Sequence, residues 1–157
     1  MKSVSWPSPF GYTIFCDDVR YETNGKVTLV GVFSEDMRIA AQFPIALPKF
    51  VISFMYMERP GESDDPLELR VYLPGDPDDQ PSIKAPLAED DTKRLRSHQL
   101  RDPSPEVDGR VAFRNNVELS PLFLIQPGKI KVRMLRGDEE IKLGTLTVVQ
   151  TTPQVAS

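Results

Sequence analysis

Two pairs of neighbouring carboxylates are the residues in this sequence most able to do chemistry. Asp17 and Asp18 follow the apolar run that ends at Cys16, and Glu35 and Asp36 follow the next apolar run. Clustered carboxylate oxygens are the ligands that calcium prefers. If the two runs pair as a hairpin, the four acids gather at one edge. They are therefore the candidate ligands of a metal site.

The same acids also have a structural interpretation. Adjacent residues of a strand point to opposite faces, so Asp17 and Asp18 form a close pair only where the chain bulges. We therefore favour a strand end bent by a bulge, where one carboxylate accepts hydrogen bonds from backbone N–H groups or pairs with an arginine. Arg20 and Arg38 are the candidate partners.

The single cysteine and the single histidine restrict the chemistry further. Structural zinc takes four Cys or His ligands, which this chain cannot supply. Cys16 and His98 could form a catalytic pair, but Cys16 lies within an apolar run, which predicts a buried packing residue. His98 lies in the basic stretch 93–101, which we expect to be solvated. Because one cysteine cannot form an intramolecular disulfide, we expect a cytoplasmic protein.

Common enzyme signatures are absent from the sequence. It contains no G-x-G-x-x-G, P-loop, G-x-S-x-G or H-E-x-x-H motif. Hydrolysis by carboxylates alone has no positive support. We therefore expect a protein that is not an enzyme, with no catalytic residue and no bound cofactor.

Charge is segregated along the chain. Residues 58–91 include eleven acidic and three basic residues, whereas 93–101 holds four basic residues and no acidic one. The acidic loops at 61–65, 75–79 and 88–91 make a calcium-binding or small-ligand-binding sandwich the alternative function, although none has the spacing of a helical calcium loop. The net charge of −4 and the lack of aromatic residues in 93–101 argue against nucleic acid as a partner.

Prolines and short apolar runs predict the secondary structure. Fifteen prolines divide the sequence into short segments, and proline ends helices by removing a backbone donor. The runs between them are rich in the aromatic and β-branched residues that strands favour. The predicted strands are 12–21, 26–33, 49–57, 67–73, one or two within 110–125, 129–135 and 140–149.

Two predicted hairpins organise these strands. Asn24-Gly25 tolerates the positive φ of a tight turn and predicts a hairpin between the first two strands. The last two strands close over the turn RGDE and alternate apolar with polar residues, so we expect one buried face and one solvated face. The apolar positions are Ile130, Val132, Met134, Ile141, Leu143, Leu146 and Val148. The segment from Pro86 could form either a helix or a loop.

These patterns predict an all-β fold, an antiparallel β-sandwich of immunoglobulin-like or C2-like character with seven or eight strands and at most one short helix. We expect a single domain over 1–157, with its core at about 10–150 and flexible tails at 1–8 and 151–157. The N-terminal segment lacks the continuous apolar region of a signal peptide, and the apolar run 50–57 is too short to span a bilayer. We therefore expect no membrane association.

Two stretches of the sequence resemble known proteins. The N-terminal pattern IFCDDVR followed by GKVTLVGVFSEDM resembles a family of small bacterial and phage-associated proteins of unknown function. The C-terminal stretch PGKIKVRMLRGDEEIKLGTLTVV is similar to the last two strands of many immunoglobulin-like sandwiches. The first resemblance implies a compact domain and supplies no catalytic residues.

The function expected from the sequence is a non-catalytic interaction module that works through its loops or an exposed sheet edge. We expect a protein partner, within a bacterial or phage-linked gene neighbourhood, and leave open a homo-oligomer. The second candidate function is an ion- or ligand-binding sandwich, and the third is a hydrolase.

Overall fold

The computed structural model describes residues 6–101 and 110–153, with the backbone alone for 98–101. His98 and most of the predicted tails lie outside the described side chains. Within the described ranges the chain forms twelve strands, one short 3-10 turn and one α-helix. The strands are β1 (Phe10–Cys16), β2 (Asp18–Tyr21), β3 (Val27–Val30), β4 (Met37–Ile39), β5 (Ile45–Leu47), β6 (Phe50–Glu58), β7 (Leu67–Tyr72), β8 (Ile83–Pro86), β9 (Val111–Leu119), β10 (Leu122–Leu124), β11 (Gly128–Arg136) and β12 (Glu139–Gln150). The helix is α1 (Glu89–Arg101).

Two larger sheets make up most of the fold. The strand order is β1-β6-β9 in the three-stranded sheet and β4-β12-β11-β7-β8 in the five-stranded sheet. All neighbouring strands in them are antiparallel except β4, which runs parallel to β12. Two further pairs, β2 with β3 and β5 with β10, complete the described structure. The prediction of an all-β sandwich with at most one short helix is confirmed.

The number of strands exceeds the seven or eight that the sequence predicts. The additional strands β4, β5 and β8 are only three or four residues long. Segments of this length are too short to show a periodic pattern. The predicted strand 12–21 is in fact two strands, because the chain leaves the sheet at Asp17.

The apolar core lies between the two larger sheets. On β6, every second residue from Phe50 to Tyr56 is buried and contributes to one cluster with alternate residues of β11 and β12. The buried residues of β11 and β12 in this cluster are Ile130, Val132, Met134, Ile141, Leu143, Leu146 and Val148. The predicted inward face of the last hairpin is therefore confirmed. The opposite face is less solvated than expected, since Arg133 is buried and donates hydrogen bonds to the carbonyls of Val132 and Gly144.

Two glycines allow β1 to cross β12 closely. A Cβ atom added at Gly144 would lie 2.8 Å from Cβ of Thr13, and one added at Gly11 would lie 2.5 Å from Cδ2 of Leu143. Carbon atoms at optimal van der Waals separation are about 3.5–4.0 Å apart. The two sheets therefore meet at this corner at a separation that leaves no room for a side chain on either glycine.

The hairpin of β2 and β3 packs against the other side of β6. Its turn contains Asn24 and Gly25, both at positive φ (64° and 73°), as the Asn-Gly pattern predicts. Val19 of this hairpin contacts Cys16 and Val51 in a second, smaller apolar cluster. The start of β6 is thus covered on both of its faces.

The segment after Pro86 forms α1 rather than a loop. Three acids, Glu89, Asp90 and Asp91, lie in its first turn, where negative charge is stabilised by the partial positive charge of the helix N-terminus. In the part of the chain that the structure describes, no helix combines the length and the apolar composition that a membrane span requires.

Candidate functional site

The structure places Asp17 and Asp18 apart. Asp17 is exposed, and its backbone N–H donates to the carbonyls of Val30 and Gly31 at 3.0 and 3.2 Å. Asp18 is partly buried, and its Oδ1 lies 2.5 Å from Nζ of Lys49. One acid therefore meets a cation at the strand end, but the cation is Lys49 and not Arg20 or Arg38, the candidates from the sequence.

Lys49 is shared between two carboxylates. Its Nζ also lies 3.1 Å from Oε2 of Glu118 on β9. The ammonium group lowers the pKa of the Asp18 carboxyl below its usual value, chiefly through their hydrogen bond. Hydrogen bonds from both carboxylates raise the pKa of Lys49. Asp18 thus links the start of β2 to the start of β6 and to the end of β9.

The other two candidate ligands, Glu35 and Asp36, lie in the loop before β4. Glu35 is exposed, and its Oε2 lies 4.0 Å from Nη2 of Arg38, which is also exposed. Asp36 is exposed as well. Among the described residues there is no group of three or more His, Cys, Asp or Glu side chains placed to hold a metal ion. Asp17, Asp18, Glu35 and Asp36 therefore do not come together as a metal site would require.

Cys16 is completely buried, as its apolar run predicts. Its Sγ is 3.4 Å from the carbonyl oxygen of Asp18, to which the thiol donates. Burial raises the pKa of this thiol, and the neighbouring charges of Asp17 and Asp18 raise it further. A thiol in this environment is a poor nucleophile because the thiolate is the reactive form.

The acidic loops have partners within the protein. The Asp76 carboxylate accepts hydrogen bonds from the backbone N–H of Leu73 and from both the N–H and the hydroxyl of Ser82, at 2.8–2.9 Å. Glu62 lies 3.3 Å from the guanidinium of Arg136. The acids at 88–91 begin α1. These carboxylates stabilise turns and a helix start, which are roles that need no bound cation.

A buried charge network joins α1 to the sandwich, and sequence reasoning missed it. The Glu58 carboxylate is 1% exposed and accepts two hydrogen bonds from the Arg96 guanidinium, at 2.6 and 3.2 Å. Arg136 approaches the same carboxylate at 3.5 Å, and the hydroxyl of Tyr56 donates to it at 2.7 Å. Arg96 also donates to the carbonyl of Asp65 at 2.8 Å. The basic stretch 93–101 is therefore not entirely solvated as predicted, because its Arg96 is buried.

The sequence did carry a signal for this network. Glu58 continues the inward series of β6, in which residues 50, 52, 54 and 56 are buried and apolar. An acid at the next inward position has to be paired, because burying an isolated charge costs several kcal/mol. What the sequence could not supply is the identity of the partners, which lie 38 and 78 residues further along the chain.

The outer face of the three-stranded sheet, the side turned away from the five-stranded sheet, carries exposed apolar side chains. Phe10 and Tyr12 of β1 point to this face, and each is 39% exposed. In the sheet register they pair with Met57 and Met55 of β6, which point to the same face. Ile14 continues the row and is partly exposed. Solvated sheet faces usually carry polar residues at these positions.

The hairpin of β2 and β3 extends this apolar surface over the sheet. Tyr21 is 66% exposed and Val27 is 45% exposed, and they are directly paired near the turn. Between the hairpin and the sheet lies a groove of about 370 Å³. Its lining residues are Tyr12, Ile14, Tyr21, Gly25, Val27, Leu29, Ser53, Phe54, Met55, Arg114, Asn115 and Asn116.

Comparison with known proteins adds the family. A family model described as a family of unknown function, DUF6941, matches residues 11–149. The chain belongs to DUF6941. No curated protein and no solved structure matches it. Membership of DUF6941 agrees with the resemblance of the sequence to proteins of unknown function, but only in that the function of both is unknown. It assigns no activity to any residue.

The charged residue that lines the groove between the hairpin and the sheet is Arg114. Arg114, which is exposed, places Nη2 3.1 Å from Sδ of Met55, and among the described residues no carboxylate pairs with it. At the other end, the hydroxyl of Tyr21 is 3.4 Å from both Oε1 of Glu118 and Nδ2 of Asn116. The groove thus combines apolar walls with amide and hydroxyl groups and one unneutralised cation.

Proposed function

We propose that this protein is a non-catalytic interaction module whose outer face and groove bind an apolar segment of another protein, with an acidic side chain next to that segment. The observation that carries the proposal is a contiguous apolar surface: Phe10 and Tyr12 are exposed on the outer face, Met55 beside them is partly exposed, and Tyr21 is exposed on the adjoining hairpin. Contiguous exposed apolar surface of this kind is typical of interaction sites.

The residue types on the outer face are those of a protein-binding surface and not of a surface on which apolar residues have no role. Tyrosine and methionine are enriched in protein interfaces, because tyrosine combines an apolar ring with a hydroxyl and methionine adapts its shape. Here two tyrosines and a methionine line one groove. Single scattered apolar residues would need no explanation, but a row on adjacent strands does.

Charge supports an acidic group in the partner. Lys49, which precedes β6, is neutralised by Asp18 and Glu118. Arg114 lacks a carboxylate partner within the described part of the chain. A partner that places Asp or Glu beside its apolar residues would pair with Arg114 and would exclude water from the groove, and a charge-assisted hydrogen bond that is shielded from water is stronger than one in water.

The setting that we propose for this module follows the sequence resemblance. It is a cytoplasmic protein of bacterial or phage origin, because its N-terminal pattern resembles such proteins and its single cysteine is buried and free. It acts without a membrane and without nucleic acid, and its partner is a different protein rather than a second copy.

The test begins with capture from the lysate of the host. A photoreactive phenylalanine analogue at position 12 is crosslinked, and the captured protein is identified by mass spectrometry, produced in pure form and titrated by calorimetry. We expect Tyr12→Ser and Arg114→Gln each to weaken binding about tenfold or more, since interface tyrosines and arginines contribute disproportionately. Phe123→Ser is the matched control, because Phe123 is an aromatic residue that is even more exposed than Tyr12 (66% against 39%) but lies on β10, in a different sheet.

Three outcomes contradict the proposal. Binding that is unchanged in Tyr12→Ser, or that is lost equally in Phe123→Ser, shows that the outer face is not the interface. Sedimentation velocity that finds a dimer broken by Tyr12→Ser shows that a second copy occupies the groove instead. Turnover of a substrate by the purified protein contradicts the non-catalytic assignment.

A further inference from the structure

Among the described strands, four lie at the edges of the two larger sheets, and three of these are short or covered. β4 has three residues and β8 has four, and β8 ends at Pro86. β12 crosses β1 closely, and the carbonyl of Phe15 in β1 accepts a hydrogen bond of 2.9 Å from the N–H of Phe33, outside the sheet. Short strands, prolines and covering segments are the means by which proteins prevent an edge strand from pairing with another chain.

The fourth edge strand, β9, is long and regular. It has nine residues, contains no proline and pairs with β6 over its whole length without a bulge. In the part of the chain that the structure describes, no strand lies on its other side. Arg114 and Asn115 are adjacent and both exposed, so the centre of β9 is open to solvent on both faces. A long, regular and open edge is a template for another strand.

The hydrogen bonding of the sheet determines which backbone groups of β9 face this edge. Because the Phe15 carbonyl points away from β6, Phe15 pairs with Ile52 without hydrogen bonds between them. Ile52 therefore bonds on its other side to Val117, and the alternation continues along β9. The residues that direct N–H and C=O to the open edge are Ala112, Arg114, Asn116 and Glu118. In agreement with this, the N–H of Asn116 donates to a side chain, Oδ1 of Asn115, at 2.8 Å.

Concave surfaces lie on both sides of the β9 edge. On the outer side is the groove of the proposed interaction, which Tyr21 and Met55 line. On the inner side is a cleft of about 630 Å³ between β9 and the pair of β8 and α1, which Phe113 and the partly exposed Leu95 line. The residues that line both the groove and the cleft are Phe54, Arg114 and Asn115. The groove and the cleft are therefore the two sides of one site with β9 in the middle.

A strand added along β9 would use both sides of this site. Its successive side chains would point alternately to the groove and to the cleft. Arg114 points to the outer face, because it pairs in register with Met55. A side chain directly opposite Arg114 on an antiparallel strand lies within contact distance on that same face. An acidic residue at this position of the added strand would therefore meet the Arg114 guanidinium.

We propose that the partner segment binds as a fourth strand of the three-stranded sheet, antiparallel to β9, with its acidic residue opposite Arg114. This inference rests on the proposed function, because it specifies how the segment of that partner is held. Both described pairings in this sheet are antiparallel, and antiparallel pairing is slightly more stable per residue. Backbone hydrogen bonds to Ala112, Arg114 and Asn116 supply affinity, and the side chains that enter the groove and the cleft supply specificity.

The test uses a synthetic peptide as the probe for the partner segment. Its sequence is Val-Thr-Val-Thr-Glu-Thr-Val-Thr-Val, with an amidated C-terminus and a fluorophore on an N-terminal linker. The sequence reads the same in both directions, so its central glutamate reaches Arg114 in either orientation. Fluorescence anisotropy measures its affinity for the full-length protein, and NMR follows amide exchange. We expect saturable binding that slows exchange of the Arg114 N–H about tenfold or more.

N-methylation of the peptide separates backbone pairing from side-chain contact. In the antiparallel arrangement, its glutamate and valines direct their N–H groups to β9, whereas its threonines direct theirs away. A methyl group on the nitrogen of the third residue, a valine, should therefore weaken binding about tenfold or more, because it removes a hydrogen bond and blocks the edge. The same methyl group on the fourth residue, a threonine, is the matched control and should weaken binding less than about threefold.

A variant of β9 tests the same edge from the side of the protein. Ala112→Pro removes an N–H that faces the edge and keeps the hydrogen bonds to β6, so an edge strand tolerates it. It should weaken peptide binding about tenfold or more, by the means that natural edge strands use. Ala112→Ser is the matched control, because it changes the same side chain and keeps the N–H. Thermal unfolding shows whether each variant folds, and if Ala112→Pro does not fold, the two methylated peptides decide.

The outcomes separate this inference from the proposed function. Binding that is lost in Tyr12→Ser but unchanged in Ala112→Pro keeps the outer face as the interface and overturns strand addition. Binding that is lost in Ala112→Pro but unchanged in Tyr12→Ser supports strand addition and contradicts the proposed function. Equal effects of the two methyl groups, or a larger effect at the threonine, overturn the antiparallel strand. A dimer in sedimentation velocity that Ala112→Pro breaks assigns the edge to a second copy and overturns the proposal, as does a lack of saturation up to millimolar peptide.

Discussion

At the scale of single residues, this protein uses its charged side chains mainly to hold its own chain together. Asp18 and Glu118 share Lys49, and Glu58 is surrounded by Arg96 and Arg136. The two arrangements differ in their energetics. The Lys49 pairs are more than a third exposed and are screened by water, so they contribute modestly. Glu58 is buried, and removing one member of a buried pair typically costs about 3–5 kcal/mol.

Asp18 makes the free energy of unfolding depend on pH in the acidic range. Its pKa is lowered in the folded protein relative to the ordinary value of 3.8, so the unfolded chain binds its proton more readily. The stabilisation is complete above the unfolded pKa and is lost as the pH falls through the lower, folded pKa. We expect Asp18→Asn to be less stable than the wild type at pH 7 and equally stable well below pH 3.8.

Urea unfolding at both pH values measures this difference. Asp36→Asn serves as the control, because Asp36 is exposed and should affect stability little at either pH. A gap between wild type and Asp18→Asn that is constant with pH would show that the loss comes from packing and not from the ion pair with Lys49.

At the scale of elements, α1 is attached by a polar anchor more than by an apolar face. Thr92 and Arg96 are buried, whereas Leu95 is partly exposed at the cleft. The first turn is reinforced by the pair of Glu89 and Lys93, which are four residues apart. Exposed pairs of this kind contribute only about 0.3–0.5 kcal/mol each. Docking of the helix therefore depends on the bond between Arg96 and Glu58.

Replacing this anchor should release the helix before the sandwich unfolds. In Arg96→Met, the apolar stem is kept and the two hydrogen bonds to Glu58 are lost, while Arg136 and Tyr56 still satisfy that carboxylate. We expect amide exchange within α1 to become faster by tenfold or more, with little change in β11 and β12. Hydrogen exchange followed by mass spectrometry measures both regions together.

The matched variant for this experiment is Arg94→Met, which removes an exposed guanidinium of the same helix. Asp91 is the one carboxylate that pairs with Arg94 among the residues that the structure describes. Its exchange should resemble that of the wild type. If Arg94→Met and Arg96→Met accelerate exchange equally, helix propensity and not the buried anchor determines how α1 is held.

At the scale of the whole molecule, the corner where β1 crosses β12 sets the distance between the sheets. Gly11→Ala brings a Cβ against Leu143, and Gly144→Ala brings one against Thr13. Overpacking of this kind typically costs about 1–3 kcal/mol. The Cβ of Gly11→Ala would also lie 2.4 Å from the backbone carbonyl oxygen of Met55 in its own sheet, and separation of the sheets does not relieve that contact. Separation relieves only the contacts with Leu143 and Thr13, so we expect the double variant to cost less than the sum of the two single variants by that shared part.

Chemical denaturation of the four proteins of this cycle gives the coupling free energy. Additive costs would mean that each Cβ is accommodated locally, without movement of one sheet relative to the other. If each single variant has a free energy of unfolding within about 0.5 kcal/mol of the wild type, the range typical of surface substitutions, the strands at this crossing are not tightly packed.

The fold was largely predictable from sequence because its long strands carry strong local patterns. The alternation in β11 and β12 predicted the buried residues, and Asn24-Gly25 predicted the first hairpin. The strands β4, β5 and β8 were not predictable, because three or four residues pair only through tertiary contacts. The sequence did not decide between a helix and a loop for the segment after Pro86. The helix is attached through Arg96, and the local sequence pattern predicts that this residue is exposed to solvent.

The candidate sites were harder to predict than the fold. Position within an apolar run was enough to predict that Cys16 is buried. The partner of Asp18 was not predictable, since Lys49 is 31 residues away and any basic residue satisfies the same chemistry. The exposed apolar residues of the outer face were only partly predictable. The run from Phe10 to Cys16 has apolar residues on both of its faces, and this pattern predicts a strand that is buried on both sides.

The position of β12 in the sheet also has a consequence for synthesis on the ribosome. This strand lies inside the five-stranded sheet, between β11 and β4, and Val148 pairs with Met37. At about 5–20 residues per second, roughly 5 to 20 s pass between translation of these two residues. During that interval β4 lacks its neighbour and β1 lacks the strand that it crosses. The nascent chain must therefore keep its apolar strands from pairing wrongly until β12 has been made, and it is in this window that a chaperone would act.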